Sequence, residues 1–198
     1  MGVEKRMADR CNTIRLYSFQ TDVVYQVLKR DGVCYSKEEY VRKKYKESAK
    51  VFINAYGWFV KAAQHIVPKP EGAEYPYWAF TDLYNVDQTG DGHVLTLDVP
   101  IGEAILFDMF DWTKIMQMHY IGENESEEAT FSEELKNMGM NEFQIMTSNF
   151  YPEQKARIQE SWKRLFGHQQ AIEAGDNSGV HSVQAGLWCI KDEWIVKE

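Results

Sequence analysis

The segment from Val183 to Ile190 (VQAGLWCI) is the sequence feature that most restricts the fold. Apart from Gln184, it contains only apolar residues and one glycine, a pattern typical of a strand in the interior of a sheet. A strand of this kind is stable only when other elements cover it. The sequence therefore predicts a domain that combines strands with helices.

Other segments also have the pattern of strands. In Thr13 to Phe19 (TIRLYSF), Ile14, Leu16 and Ser18 fall on one face, and Arg15, Tyr17 and Phe19 fall on the other. The segments from Tyr75 to Thr81 and from Val94 to Val99 are also β-prone, and residues 104–107 are expected to pair with them. We therefore predict several short strands, mixed or mostly antiparallel.

Helices are predicted between these strands. The first begins at Thr21 or Asp22 and ends at Asp31-Gly32. A second begins at a capping pattern in residues 36–39 and continues or restarts within residues 51–67; its expected inward residues are Tyr40, Val41, Tyr45 and Ala49. Two later helices are predicted, one capped by Asp111 and one from Pro152 to Phe166. The fold class is α+β, with residues 1–12 as a loose tail and residues 13–198 as a single domain.

The acidic residues are concentrated in one segment. The chain has 22 Lys and Arg against 30 Asp and Glu, a net charge of −8, and six Glu but no Lys or Arg lie between Glu123 and Glu134. We expect this segment to be a solvated acidic loop or insertion, with or without a short helix. The acidic surplus argues against an extended nucleic-acid surface and against binding to anionic membranes. A local arginine-lined pocket for a phosphate stays compatible with the near-neutral remainder.

Several classes of site lack their sequence signatures. The five His residues are not spaced as metal ligands, and the Gly-rich loop from Asp87 to Gly92 is interpreted as a turn rather than a calcium site, so no metal is expected. Phosphate-binding loops and nucleophile elbows do not occur. Three widely spaced Cys, and the lack of a signal peptide or spanning helix, favour a cytoplasmic protein.

Two polar residues on predicted strands are candidates for a functional site. Arg15 needs a partner, either a carboxylate or the phosphate of a ligand. Gln184 has an amide among apolar neighbours and must bond to something, either within the core or in a ligand. The aromatic residues Tyr75, Tyr77, Trp78 and Phe80 are compatible with stacking on a ring or with plain core packing.

The order of several segments resembles a family of uncharacterised bacterial and phage proteins classed as a domain of unknown function. These segments are TIRLYSFQT, AYGWFVKAAQHI, YPYWAF, HVLTLDVPIGEAILFD, ESWKRLF and VQAGLWCIKDEWIV. The resemblance runs from about Thr13 to Ile195 and implies no activity. It does imply that Arg15, Trp58, Trp78, Asp108, Trp162 and Gln184 belong to recurring motifs.

A more distant similarity is to small ADP-ribosyltransferases. Leu16 to Thr21 with the following helix looks like their first strand and helix, and Val183-Gln184-Ala185 is similar to the late strand that carries their catalytic Glu. This similarity implies that Gln184 is the catalytic position and that Arg15, Tyr17, Trp78 and Thr81 bind the cofactor.

The ligand implied is NAD, as a substrate, or a related nucleotide. Cleavage of its nicotinamide–ribose bond passes through a cationic ribose, which a carboxylate would stabilise; Gln184 supplies a hydrogen bond without that charge. Two alternatives stay open: a non-catalytic binder of a nucleotide-like molecule, and a phage or mobile-element module that binds a protein target through the acidic segment. The oligomeric state is left open.

Overall fold

A computed structural model describes residues 12–39, 42 and 49–197 of the chain. Within these ranges the predicted α+β domain is confirmed. The strands are β1 (Thr13–Gln20), β2 (Val33–Tyr35), β3 (Tyr77–Phe80), β4 (His93–Pro100), β5 (Ile105–Asp108), β6 (Val183–Leu187) and β7 (Cys189–Lys191). Five of them form one sheet in the order β4-β1-β3-β6-β5, with every neighbouring pair antiparallel, and β2 pairs with β7 in a second sheet.

Helices are inserted between the strands. They are α1 (Asp22–Asp31), α2 (Ala49–Ala63), α3 (Met109–Met116), α4 (Glu125–Asn137), α5 (Glu142–Thr147), α6 (Pro152–Ser161) and α7 (Gln169–Glu173). Short 3-10 turns cover Leu83–Asn85, Ile101–Glu103, Trp162–Phe166 and Asp192–Trp194. No helix in the described ranges has both the length and the apolar character to cross a membrane.

The first strand and helix agree with the prediction. Helix α1 begins after Thr21 and ends at Gly32, whose left-handed φ of 76° lets its amide donate to the carbonyl of Leu28. Tyr40, Val41 and Tyr45 of the predicted second helix lie outside the described residues, as do residues 1–11 of the predicted tail. The later part of that helix, from Ala49, is α2.

Two local predictions need correction. Asp108, not Asp111, caps α3, because β5 ends at Asp108 and its carboxylate accepts from the amide of Phe110. The acidic segment, expected to be a solvated loop or insertion with or without a short helix, forms most of the 13-residue helix α4, which begins at the cap Asn124 and, contrary to a fully solvated segment, buries Phe131 and Leu135. A segment this rich in Glu therefore still contributes to the core.

The apolar run from Val183 to Ile190 does form a central strand, but it belongs to two sheets. Residues Val183–Leu187 lie between β3 and β5, and the chain then leaves this sheet at Trp188 and pairs with β2 as β7. The Trp188 ring is buried, and its Nε1 donates to the carbonyl of Val67 at 2.8 Å. This change of sheet fastens the two sheets together.

A separate hydrophobic core lies on each face of the five-stranded sheet. Opposed residues of antiparallel strands share a face, and successive residues alternate between faces. We call the face that carries Tyr17, Trp78 and Gln184 the front face; its core includes side chains of α2, α3 and α6. The back face carries Leu16 and Ala79, and its core includes side chains of α1, α7 and both strands of the small sheet.

Candidate functional site

A row of side chains crosses the front face at one level of the sheet. The strand register places Gln184 opposite Phe80 and Phe107, and it places Phe80 opposite Tyr17. With Thr96 opposite Tyr17, the row continues onto β4. Tyr17 and Gln184 are two strands apart, so their Cα atoms are separated by about 10 Å. Two of the predicted site residues therefore lie in one row on the same face.

The front face is covered at one side of the sheet and open at the other. On β5 and β6 the front-face residues Phe107, Gln184 and Gly186 are buried. A β-carbon added to Gly186 would lie 2.9 Å from Cζ of Phe59, so α2 packs directly on this glycine. On β1 Tyr17 is only half-buried. The row therefore passes from the core to the surface.

Gln184 lies where this row enters the core, and its amide oxygen has no partner. Its residue exposure is 4%, and its Oε1 has no hydrogen bond from any described residue. An unsatisfied buried polar atom costs about 1–3 kcal/mol, so native proteins rarely keep one without a reason. The prediction that the amide must bond to something is met by no group in the described part of the chain. A ligand donor would satisfy it only if the covering side chains shifted, because this oxygen has practically no exposed surface.

Arg15 also lies on the front face, but a carboxylate engages it. Its Nε and Nη2 donate to the two oxygens of Asp98, at 2.5 Å and 3.1 Å, directly across from it on β4. Both side chains are exposed, so the pair contributes little to the free energy of unfolding. Of the two partners predicted for Arg15, the carboxylate is present. A phosphate role would require the guanidinium to be shared with Asp98 or released from it.

Trp78 is half-buried within an aromatic cluster on the front face. Its ring centroid lies 4.8 Å from that of Trp112 and 5.1 Å from that of Phe59, and its Nε1 donates to the hydroxyl of Tyr56 at 2.9 Å. This environment corresponds to the core-packing alternative for most of the ring.

Thr81 does not share the front face. It follows Phe80 directly, and its hydroxyl donates to the carbonyl of Val183 at 3.3 Å. The same carbonyl accepts from the amide of Thr81, so this residue ties the end of β3 to the start of β6. The structure thus places Tyr17, Trp78, Gln184 and Arg15 on one face, and it places Thr81 at the strand end beside them.

A buried Asp and an exposed His form a pair at the same end of the sheet. One carboxylate oxygen of Asp108 lies 2.9 Å from both the backbone nitrogen and the ring Nδ1 of His181. The Asp108 side chain is 5% exposed, whereas the His181 side chain is 75% exposed. When Nδ1 donates to the carboxylate, Nε2 carries the free lone pair. Such a pair can accept a proton from a substrate.

The charge on Asp108 is favoured despite its burial. Burial acts to raise the pKa of Asp108, but donation from the backbone of His181, the backbone of Phe110 and the His181 ring holds the pKa below its ordinary value. The carboxylate is therefore ionised at neutral pH and can accept these hydrogen bonds. The next acidic group, Asp111, differs: burial, with the nearby Asp108 charge, raises its pKa.

The Asp108–His181 pair is not predicted from the sequence. The two residues are 73 positions apart, and neither lies in a motif for acid–base catalysis. The available signal was local: Asp108 is the last residue of the apolar strand β5, and His181 precedes the apolar run from Val183, so both lie near strand ends. No group of three or more His, Cys, Asp or Glu is arranged to hold a metal ion in the described ranges.

Comparison with known proteins identifies one family. The profile of a family described as a domain of unknown function (DUF3841) matches residues 15–196. No curated protein and no solved structure matches the chain significantly.

Proposed function

This chain belongs to the DUF3841 family, and from the geometry of its front face we propose that it binds NAD or a related nucleotide there and cleaves the nicotinamide–ribose bond. The ligand would lie along the row from Tyr17 to Gln184, with the Asp108–His181 pair beside it. The similarity of β1, β3 and β6 to segments of ADP-ribosyltransferases supports this assignment, because these three strands are neighbours in the sheet.

The unpartnered oxygen of Gln184 is the observation that carries the proposal. An amide oxygen accepts hydrogen bonds only, so the ligand must present a donor. The hydroxyls of a ribose are donors of this kind. A ribose hydroxyl that donates to Gln184 would remove the free-energy cost of the unsatisfied oxygen. The same hydrogen bond would hold the sugar at the buried end of the row.

The Asp108–His181 pair supplies the base for the reaction. The bond between ribose C1′ and the nicotinamide nitrogen breaks, and nicotinamide leaves with the bonding electron pair. The oxygen of water, or of an acceptor hydroxyl, bonds to C1′ and gives its proton to Nε2 of His181. The products are nicotinamide and ADP-ribose, free or attached to the acceptor. Asp108 orients the imidazole and stabilises the charge that it gains.

A non-catalytic nucleotide binder is the second candidate. A cationic ribose calls for a negative charge, and the amide of Gln184 is neutral. The same row and the same hydrogen bond would then serve binding alone. Turnover separates the two candidates.

The test compares two buried glutamines. Gln184→Leu removes an amide whose oxygen is unpartnered, so we expect stability to be unchanged or raised. The same substitution should weaken NAD binding, measured by calorimetry, by about tenfold, which corresponds to ~1.4 kcal/mol. Release of nicotinamide from the wild-type protein is followed by chromatography.

Gln169→Leu is the matched control. Its oxygen accepts from the amide of Leu106 at 2.5 Å, and its nitrogen donates to the carbonyl of Ala104 at 3.2 Å. This variant should lose about 1–3 kcal/mol of stability and keep its affinity for NAD. NAD binding without nicotinamide release would support the non-catalytic candidate. The proposal fails if neither NAD nor ADP-ribose binds, or if Gln184→Leu binds as tightly as the wild type.

A further inference from the structure

We propose that a second site, separate from the front-face row, binds a nucleoside 5′-monophosphate. It is a groove of about 420 Å³ between α2 and α6, which we call the α2–α6 groove. The lining of this groove includes Gly57, Trp58, Lys61, Lys155 and Trp162. Its volume is within the range of small-molecule sites.

The charge of the α2–α6 groove is opposite to that of the chain as a whole. Among the residues that the structure describes, the charged ones that line it are Lys61 and Lys155, and no carboxylate lines it, although the chain has a net charge of −8. Among the described residues Lys61 has neither an ion pair nor a side-chain hydrogen bond, and Lys155 donates only to the carbonyl of Ser148. Both ammonium groups keep donors for an anion such as a phosphate.

An aromatic wall accompanies the two lysines. The Trp58 ring is half-buried and lies parallel to the Phe166 ring, with centroids 5.9 Å apart and an angle of 9°. The buried Trp162 ring meets Trp58 edge to face at 5.4 Å. The orientation of Trp58 is therefore fixed before a ligand arrives, which lowers the entropy cost of stacking a flat ring on it. A nucleobase is such a ring.

Gly57 leaves open the part of the groove that it lines. Glycine inside a helix is destabilising relative to alanine, so its presence in the middle of α2 calls for a reason. A β-carbon added to Gly57 would meet no atom within 4 Å, so packing of the fold does not require glycine there. The space beside Gly57 belongs to the groove, and a ligand can approach the helix backbone through it.

The test is calorimetric titration of the full chain with AMP, adenosine and inorganic phosphate. We expect AMP to bind at least tenfold more tightly than either fragment, since the ring and the anion use different parts of the groove. Lys61→Gln should weaken AMP binding about tenfold, and Gly57→Leu should abolish it by filling the groove. Lys136→Gln is the control, because this exposed lysine pairs with Glu133 outside the groove.

The variants also separate this site from the front-face row. Gln184→Leu should leave AMP affinity at the α2–α6 groove unchanged. Lys61 is exposed, so Lys61→Gln keeps the test valid if Gly57→Leu does not fold. Absence of AMP binding to the wild type, equal affinity for AMP and adenosine, or AMP binding that Lys61→Gln does not change would overturn the proposal.

Discussion

At the residue scale, the Asp108 side chain has two roles: it caps a helix and it positions His181. Its carboxylate caps α3 through the amide of Phe110, and it holds the backbone and ring of His181. The pKa of Asp108 is lower in the folded protein than in the unfolded chain. Its charge therefore stabilises the fold at pH values above about 4, and that stabilisation is lost as the pH falls through the folded-state pKa.

We predict that Asp108→Asn lowers the free energy of unfolding by about 1–3 kcal/mol at pH 7, because an amide has one acceptor oxygen and cannot accept from both Phe110 and His181. The difference from the wild type should shrink between about pH 5 and pH 2, because the wild-type carboxylate becomes protonated there. Urea unfolding at pH 7, 5 and 3 measures this. A difference that stays constant over the three pH values would contradict the role assigned to the charge.

The candidate site was partly predictable at this scale. Alternation along the strands and the motif similarity place Tyr17, Trp78 and Gln184 together, and these cues are local. The partner of Arg15 is not local: Asp98 is 83 residues away, so periodicity alone could not decide between a carboxylate and a phosphate. The same limit applies to His181 and its distant carboxylate.

At the scale of elements, Gly186 sets how closely α2 approaches the sheet. A β-carbon at this position would lie 2.9 Å from Cζ and 3.2 Å from Cε1 of Phe59, whose side chain is fully buried. We predict that Gly186→Ala destabilises the protein by about 1–3 kcal/mol through overpacking. Thermal or urea unfolding provides the measurement.

Gly102→Ala is the matched control for Gly186→Ala, because a β-carbon at Gly102 meets no atom within 4 Å. This control should change stability by less than about 0.5 kcal/mol. Adding Phe59→Leu to Gly186→Ala should make the two effects non-additive, since the residues touch. Additive effects would mean that the contact does not limit the distance between helix and sheet.

The elements that can be predicted from the sequence are those whose pattern lies within their own residues. Strand β1 alternates along its own length, and α1 has its own cap and stop. The division of the run from Val183 to Ile190 depends on β2, β3 and β5, which are distant in sequence. In α4 only two residues, Phe131 and Leu135, are buried, so the apolar pattern is weak beside the many glutamates. Two of these glutamates form ion pairs with distant residues: Glu128 with Lys114, and Glu134 with Arg157.

At the scale of the whole molecule, the two cores share one sheet. Trp112, Trp162 and Trp188 belong to the front-face core, and Cys34 and Cys189 belong to the back-face core. Burial raises the pKa of Cys189 to about 11, so the folded protein protects this thiol from labelling. Trp194 lies in the back-face core, so replacing it with Phe leaves tryptophan fluorescence as a probe of the front face and thiol labelling as a probe of the back face.

We predict a single cooperative transition. In a Cys11→Ser, Trp194→Phe background, the urea midpoint from tryptophan fluorescence should coincide with the midpoint from thiol labelling, since neither core persists without the sheet. Two separated midpoints would show that one face unfolds before the other.

Strand β6 has a kinetic consequence because of its place in the chain. It lies between β3 and β5, yet residues 183–187 come after every other strand of that sheet in the sequence. Contacts between segments so far apart form slowly. Until β6 is added, β3 and β5 each keep an unpaired edge, and such edges are where strands of different chains join. Aggregation during synthesis should therefore compete with the insertion of this one strand.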